Sequence, residues 1–166
     1  NAARTAEGGL QNQQEGVARL RELAVQASNG TLTDEQRNAI NEEAQQIIEQ
    51  IDNTGQQTEF NGLNLLNGDA QNVPLGTEGG EELSVNESTA ATLGIGGVDL
   101  SSQAGASQAI ETLDTAATRI SQNRAAVGAQ ERRFEGAIEQ REIASQNAIE
   151  AESRIRDLDV ARQVVE

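Results

Sequence analysis

Apolar residues recur every three or four positions near both ends of this chain, and the period is lost between them. Near the amino terminus, spacings of 3, 4, 3, 4 and 3 join Leu10, Gln13, Val17, Leu20, Ala24 and Ala27. Toward the carboxy terminus a similar repeat, broken by polar or charged residues, joins Ile110, Leu113, Ala117, Ile120, Val127, Phe134, Ile138, Ala148 and Ile155. The breaks lie at Arg124, Glu131, Arg141, Ser145 and Glu152. Heptad seams of this kind are typical of helices that pack side by side. The repeats therefore favour packed helices over disorder, despite a formal net charge of −15.

Capping residues set the bounds of three predicted helices. The first is expected from residue 1 to 28, because Asn29-Gly30 is a stop signal. The second is expected from about 34 to 53, after a capping box at residues 33–36, with a stripe of Ile40, Ala44, Ile47 and Ile51. Ser101 or Ser102 can cap a third helix that continues to residue 166. A helix of about sixty residues would be about 90 Å long.

The segment between the second and third helices has a different composition. Residues 54–105 contain ten of the 16 glycines and the only proline, Pro74. Val73 and Leu75 alternate with polar residues, as do Leu83 and Val85, and a glycine pair lies between the two runs. This pattern predicts a β-hairpin. A single helical turn is expected at residues 89–93.

The low content of aromatic residues restricts the possible fold classes further. The chain of 166 residues contains two Phe and no Trp or Tyr, so its core must be thin and built from aliphatic side chains. We therefore predict a mainly α fold, an elongated antiparallel helical bundle or rod of three long helices with a small β-hairpin in the connecting segment. The expected divisions are a helical pair over 1–53, a connecting segment over 54–102 and a long helix over 103–166.

The composition also excludes many functions. Without His or Cys, the usual zinc sites, Cys nucleophiles and Ser–His–Asp triads are not available. Neighbouring carboxylates such as Glu42-Glu43 point apart on a helix and suit solvated surface rather than acid–base catalysis. No catalytic residue, metal site or cofactor is therefore predicted. The net charge argues against nucleic acid or an anionic membrane as a partner, and no apolar run approaches a membrane span.

Several long motifs resemble the bacterial flagellin family, in the right order and over essentially the whole chain. They lie at residues 5–8 (TAEG), 19–31 (RLRELAVQASNGT), 58–66 (TEFNGLNLL), 123–129 (NRAAVGA), 133–135 (RFE) and 153–159 (SRIRDLD). Residues 89–94 (TAATLG) resemble the segment where flagellins usually turn into variable outer domains, and no such domain follows here. The resemblance implies the inner rod domain of a flagellin.

The family's known properties supply further expectations. The resemblance implies a secreted, extracellular structural subunit of the flagellar filament, whose partners are other flagellin subunits. The terminal segments that build the innermost tube of flagellins would lie beyond both ends, so this chain alone is expected to be monomeric. The flagellar hook–filament junction protein, a relative with similar helices, is the alternative. The sequence around Phe60-Asn61-Gly62, followed by Leu65-Leu66, favours flagellin proper.

Flagellins are also ligands of Toll-like receptor 5 in vertebrates, and the resemblance implies a contact site. The family's receptor-contact positions match Arg19, Leu23 and Glu43, with Gln26 and Ile40 nearby. Arg124 and Arg133 are further candidates for receptor or filament contacts. Residues four apart on a helix, such as Arg19 and Leu23, share one face, and arginine is enriched among the residues that contribute most to binding.

Overall fold

A computed structural model describes the backbone of residues 1–71, 73–74 and 82–165, and the side chains of 1–71, 73, 82–154 and 156. The chain divides into two compact units, Asn1–Gln130 and Glu131–Glu166. The described elements, in chain order, are α1 (Ala2–Ala27), α2 (Asp34–Gln57), β1 (Glu59–Phe60), β2 (Leu63–Asn64), β3 (Val73–Pro74), β4 (Glu82–Leu83), α3 (Ala90–Leu93) and α4 (Gln103–Val165). The predicted fold class, mainly α with a small hairpin in the connecting segment, is confirmed.

Helices α1 and α2 bury the stripes that their sequences predict, with one shift. All six predicted seam residues of α1 are buried, and Leu23 joins them. On α2 the buried isoleucines are Ile40, Ile48 and Ile51, so the choice of Ile47 was wrong by one position. The reason is that a straight helix of 3.6 residues per turn drifts away from a strict seven-residue repeat.

The part of α4 in the first unit lies antiparallel to α1. Arg21 of α1 forms an ion pair with Asp114, whereas Gln14, earlier in α1, accepts a hydrogen bond from Arg124, later in α4. The buried stripe of this part contains Ala109, Leu113, Ala116, Ile120 and Val127. The prediction placed Ile110 and Ala117 in the core, but both are only half-buried and the alanine before each is buried instead.

The second unit, Glu131–Glu166, exposes two of the four apolar side chains that the sequence placed on a seam there. Ile138 is 56% exposed, and Ala148 is also exposed. The heptad period therefore continues along the described part of this unit without burying Ile138 or Ala148. Phe134 is half-buried, and the side chain of Ile155 lies outside the described residues.

Two antiparallel strand pairs occur among the described residues of the connecting segment. The predicted one pairs Val73 with Leu83 and Pro74 with Glu82, and its expected turn lies outside the described residues. The other, which we did not predict, pairs Glu59 with Asn64 and Phe60 with Leu63. Its turn is Asn61-Gly62, and both residues have positive φ, 55° and 79°. An Asn-Gly pair is the preferred two-residue hairpin turn, so the signal was present in the sequence.

Polar side chains of α2 hold the second half of the connecting segment against the helices. Asn41 Oδ1 accepts a hydrogen bond from the Leu100 amide at 2.8 Å, and Gln45 Nε2 donates one to the Val98 carbonyl at 2.9 Å. Asp52 Oδ1 accepts another from the Ala90 amide at 2.9 Å. Buried backbone N–H and C=O groups need hydrogen-bond partners. These side chains supply the partners that a neighbouring strand or helix would otherwise provide. Amide side chains such as Asn41 and Gln45 thus bind the chain's own connecting segment.

Helix α2 packs tightly against the backbone of the connecting segment at Gly55. A Cβ at this position would lie 2.5 Å from the Ser88 carbonyl oxygen. We expect Gly55→Ala to lower the free energy of unfolding by about 1–3 kcal/mol, the usual cost of overpacking. Gly8→Ala is the matched control, because a Cβ at this helical position meets nothing within 4 Å, and it should stabilise by about 0.5–1 kcal/mol. Urea denaturation measures both, and equal effects of the two variants would contradict the packing described here.

Candidate contact surface

The described residues offer surfaces for contact rather than an enclosed reaction site. Within the part of the chain that the structure describes, no cluster of three or more acidic side chains is placed to hold a metal ion. One depression is an open groove of about 460 Å³ that Gln46, Glu49 and Gln50 help to line on α2. No described helix is long and apolar enough to cross a bilayer.

Arg19 forms a bridge between α1 and α2. Its Nη2 lies 2.8 Å from Glu43 Oε1 and its Nε lies 3.2 Å from the same oxygen, while Nη1 lies 3.1 Å from Glu22 Oε2. The hydrogen bond to Glu43, followed by the bond to Glu22, raises the pKa of Arg19 above its usual value. About half of each side chain of the Arg19–Glu43 pair is exposed. The pair is therefore an ordered, solvent-facing feature that a partner could bind.

Two of the predicted contact residues belong to the core instead. Leu23 is 1% exposed and Ile40 is 9% exposed. In this conformation neither side chain presents much area to a partner, and a direct contact through either one stays a prediction. Leu23 lies four residues after Arg19, but the boundary between the buried and exposed faces of α1 runs between the two. Gln26 is exposed on the next turn.

The two predicted arginines of α4 lie in different units. Arg124 Nη1 donates a hydrogen bond to Gln14 Oε1 at 2.6 Å, and Nη2 lies 3.5 Å from Glu7 Oε1. Arg124 thus binds side chains of α1, and its own side chain is one-third exposed. Its buried Nε has no hydrogen-bond partner in the described structure. Arg133 is exposed and belongs to the second unit. Two of the seven predicted residues, Arg19 and Glu43, are joined by a side-chain ion pair.

A buried amide near the middle of α1 is a structural residue whose hydrogen bonding the sequence did not reveal. Gln13 is 0% exposed, and its Nε2 donates to the carbonyls of Ser88 at 2.6 Å and Ile51 at 3.1 Å. Its Oε1 accepts the Ser88 hydroxyl proton at 2.6 Å. Gln13 therefore joins α1, α2 and the connecting segment. The sequence did contain one sign of this role, because Gln13 is a polar residue at a heptad position that is otherwise apolar.

A buried arginine, Arg37, holds the corner between α1 and α2. It is 7% exposed. Its Nε donates to the Ala27 carbonyl and its Nη2 to the Asn29 carbonyl, both at 3.1 Å, while Nη1 lies 3.2 Å from Asp34 Oδ1. The guanidinium thus binds the carbonyl of Ala27, the last residue of α1, which the helix leaves without an intrahelical partner, and it also binds the Asn29 carbonyl of the turn that follows. Nothing in the spacing of the sequence distinguished this arginine from a surface residue.

These features define a structural domain whose surface is suited to packing. Its helices are antiparallel, their polar side chains bind the connecting segment, and an ordered ion pair lies on the outside. The family model for the bacterial flagellin N-terminal helical region matches residues 1–71, and the model for the C-terminal helical region matches residues 110–166. The chain belongs to the bacterial flagellin family. Because this is a family of structural proteins, the prediction that the chain is not an enzyme is confirmed.

Individual relatives agree with the family assignment. The chain is similar to a flagellin of Halalkalibacterium halodurans, with 35% identity over 98% of this chain and 62% of the relative. It is 36% identical to YvzB of Bacillus subtilis over 72% of this chain and 79% of that protein. The crystal structure of Bacillus cereus flagellin matches with a TM-score of 0.69 and 28% identity, over 81% of this chain and 80% of that one. The chain thus spans somewhat less than two-thirds of the Halalkalibacterium relative.

Proposed function

We propose that this chain forms the packed helical core of a structural subunit of the bacterial flagellar filament, and thus serves motility from outside the cell. One observation supports this above all. Segments that match the two helical regions of flagellin pack against each other in the first unit, where Arg124 binds Gln14 and Arg21 binds Asp114. Helices that are packed in this way form a stiff element, which a propeller requires of its subunits.

The partners that we propose are further copies of the flagellin subunit, bound through the full product of the gene. The 166-residue chain by itself should remain monomeric at low salt, because a net charge of −15 makes copies repel one another. Sedimentation at micromolar concentration tests this part of the proposal. Filaments or stable oligomers of the isolated chain would contradict it.

The flagellar hook–filament junction protein remains the alternative, and genetics separates the two. The full gene would be expressed in a motile bacterium whose own flagellin gene is deleted and whose junction proteins are intact. A filament subunit should restore long filaments and swimming, whereas a junction protein should leave bare hooks. The reciprocal strain, which lacks a junction protein, provides the control, because a filament subunit should not rescue it.

A second function, recognition by Toll-like receptor 5, is supported by the Arg19–Glu43 pair. The guanidinium is half exposed and is fixed by two carboxylates, so a partner would meet a preorganised group at a small cost in side-chain entropy. Gln26 lies exposed on the same helix. We propose that these three residues form the part of the predicted site that is available for contact, with Leu23 and Ile40 acting beneath it as support.

A reporter assay tests this second function. Arg19→Ala should raise the concentration that gives half-maximal receptor signalling by roughly thirtyfold. This is the loss of affinity typical of a residue that contributes strongly to an interface. Circular dichroism should show the variant folded. Equal signalling by the parent and a folded Arg19→Ala protein would remove Arg19 from the site.

Arg21→Ala is the matched control for this assay. Arg21 is another arginine of α1 that is about half exposed and paired with a carboxylate, but its partner is Asp114 of α4 rather than a residue of α2. Residues two apart on a helix do not face each other, so Arg21 lies away from the Arg19–Glu43 pair. Arg21→Ala should therefore stay within about threefold of the parent, well below the effect of a residue that contributes strongly to binding.

A further inference from the structure

Asn-Gly dipeptides occur three times, at Asn29, Asn61 and Asn67. Glycine has no Cβ to obstruct a close approach to its amide nitrogen, so that nitrogen can attack the preceding asparagine side chain. From the hydrogen bonds around the first of these pairs, we propose that Asn29 is a site of self-catalysed modification. Its side-chain amide is converted through a succinimide to aspartate and isoaspartate, at the corner between α1 and α2.

The nucleophile in this reaction is the Gly30 amide nitrogen, and its peptide group is polarised. The Asn29 backbone carbonyl belongs to the same peptide group and accepts hydrogen bonds from Arg37 Nη2 at 3.1 Å and from the Leu32 amide at 3.3 Å. A cation and donors on the carbonyl oxygen stabilise the anion that forms when the Gly30 N–H loses its proton. Because Arg37 is almost completely buried and also binds Ala27, this contact is held in place.

The electrophile is the side-chain carbonyl of Asn29, and two donors already point at its oxygen. Asn29 Oδ1 accepts hydrogen bonds from the Thr31 amide at 3.1 Å and from Thr31 Oγ1 at 3.0 Å. Attack at Cγ turns this oxygen into an oxyanion, and preorganised donors stabilise such a charge as it develops. The turn at residues 29–31 thus favours loss of the proton from the Gly30 amide and stabilises the oxyanion that forms on the Asn29 side chain. Asn29, Gly30 and Thr31 are all exposed, so water reaches them.

The balance of the reaction requires only water. The Gly30 N–H gives its proton to a water-borne base, the nitrogen forms a bond to Asn29 Cγ, and the Cγ–Nδ2 bond breaks as ammonia leaves with a proton from water. Water then opens the succinimide at either carbonyl, which gives aspartate or isoaspartate. The overall change is asparagine plus water to an acid plus ammonia, without oxidation or reduction. The isoaspartyl product carries an extra methylene in the main chain and displaces the carbonyl that Arg37 binds.

The other two Asn-Gly pairs are arranged less favourably. Asn67 Oδ1 accepts the Asp69 amide at 3.0 Å, but its Nδ2 also lies 2.7 Å from the Asp69 carboxylate, whose charge disfavours a nearby anion. Among the described residues, none donates a hydrogen bond to the side chain of Asn61. Gly62 and Gly68 have positive φ, whereas Gly30 does not. These pairs therefore serve as internal comparators.

Peptide mapping by mass spectrometry tests the proposal on the intact chain. The protein is incubated at mildly alkaline pH, folded or in urea, and samples are digested with trypsin over time. Cleavage after Arg21 and Arg37 releases residues 22–37, in which Asn29 is the only asparagine. We expect Asn29 to convert faster than Asn61 and Asn67 in the folded chain, and more slowly once urea removes the fold. Conversion of Asn29 that is faster in urea, or slower than at both comparators, would overturn the proposal.

Two substitutions test the mechanism at the turn itself. Thr31→Val removes the hydroxyl donor and should slow conversion about threefold to tenfold, less than the hundredfold or more that an oxyanion donor is worth in a dry site. Thr31→Ser retains the hydroxyl and should restore the rate. Gly30→Ala should slow it further without unfolding the corner, because the new Cβ would lie 3.6 Å from its nearest neighbour, Gln103 Nε2. An unchanged rate in Thr31→Val would contradict the assigned oxyanion site.

Discussion

Gln13→Leu should lower the free energy of unfolding by about 3 kcal/mol, since each buried group left without a partner costs about 1–3 kcal/mol. Leucine fills much of the same space but cannot bind the Ser88 hydroxyl or the carbonyls of Ser88 and Ile51. Ser88 is 0% exposed, so water cannot replace the missing partner without opening the contact between α1 and the connecting segment. Urea denaturation monitored by circular dichroism measures the change.

Gln11→Leu provides the control for this prediction. Gln11 is an exposed glutamine of the same helix, whose side chain bonds only to Glu15 one turn away. This change should stay within about 0.5 kcal/mol of the parent, as is usual for surface substitutions. If Gln13→Leu proved as stable as Gln11→Leu, the buried amide would not be the link between the three segments.

Leu23→Ala should destabilise the chain by about 2–5 kcal/mol, the range for truncating a buried leucine. The reason is its position in the core, where it is 1% exposed. Val25→Ala is the matched control, because Val25 is apolar, lies on the same helix and is 50% exposed. Thermal and urea unfolding of both variants would be measured before any receptor assay.

This comparison bears directly on the proposed receptor surface. A loss of signalling in Leu23→Ala that follows the loss of folded protein would identify Leu23 as support beneath Arg19. A fully stable Leu23→Ala protein would contradict the burial described here and return Leu23 to the list of direct contacts.

Local patterns were sufficient for the helices. The Thr33 capping box and Ser102, which accepts the Gly105 amide through its hydroxyl, set helix starts close to those predicted. Helix α1 does end just before Asn29-Gly30, but Gly30 does not adopt the left-handed conformation of a glycine stop. Helix α2 continues to Gln57, past its predicted end near residue 53. The choice between neighbours such as Ile47 and Ile48 was less secure, because it depends on how each helix is rotated against its partner. Such a rotation is a tertiary property, and the heptad period alone does not determine it.

The candidate surface was harder to predict than the fold. Pairing of Arg19 with Glu43 joins residues 24 positions apart and depends on the packing of α1 on α2. The sequence could not tell that Leu23 would be buried and Arg19 exposed, because both fit one face at four-residue spacing. The burial of Arg37 and the hydrogen bonds of Gln13 were not predicted for the same reason, since their partners include backbone carbonyls that only the folded chain brings near.

The central claim is that these helices form the core of a filament subunit, and electron cryomicroscopy of filaments tests it most directly. The full product of the gene would be purified, polymerised and imaged for helical reconstruction. We predict long filaments in which every subunit contributes α1 and residues 103–130 of α4 as an antiparallel pair to the filament wall. A product that never assembles, or filaments whose walls lack this helical pair, would contradict the account.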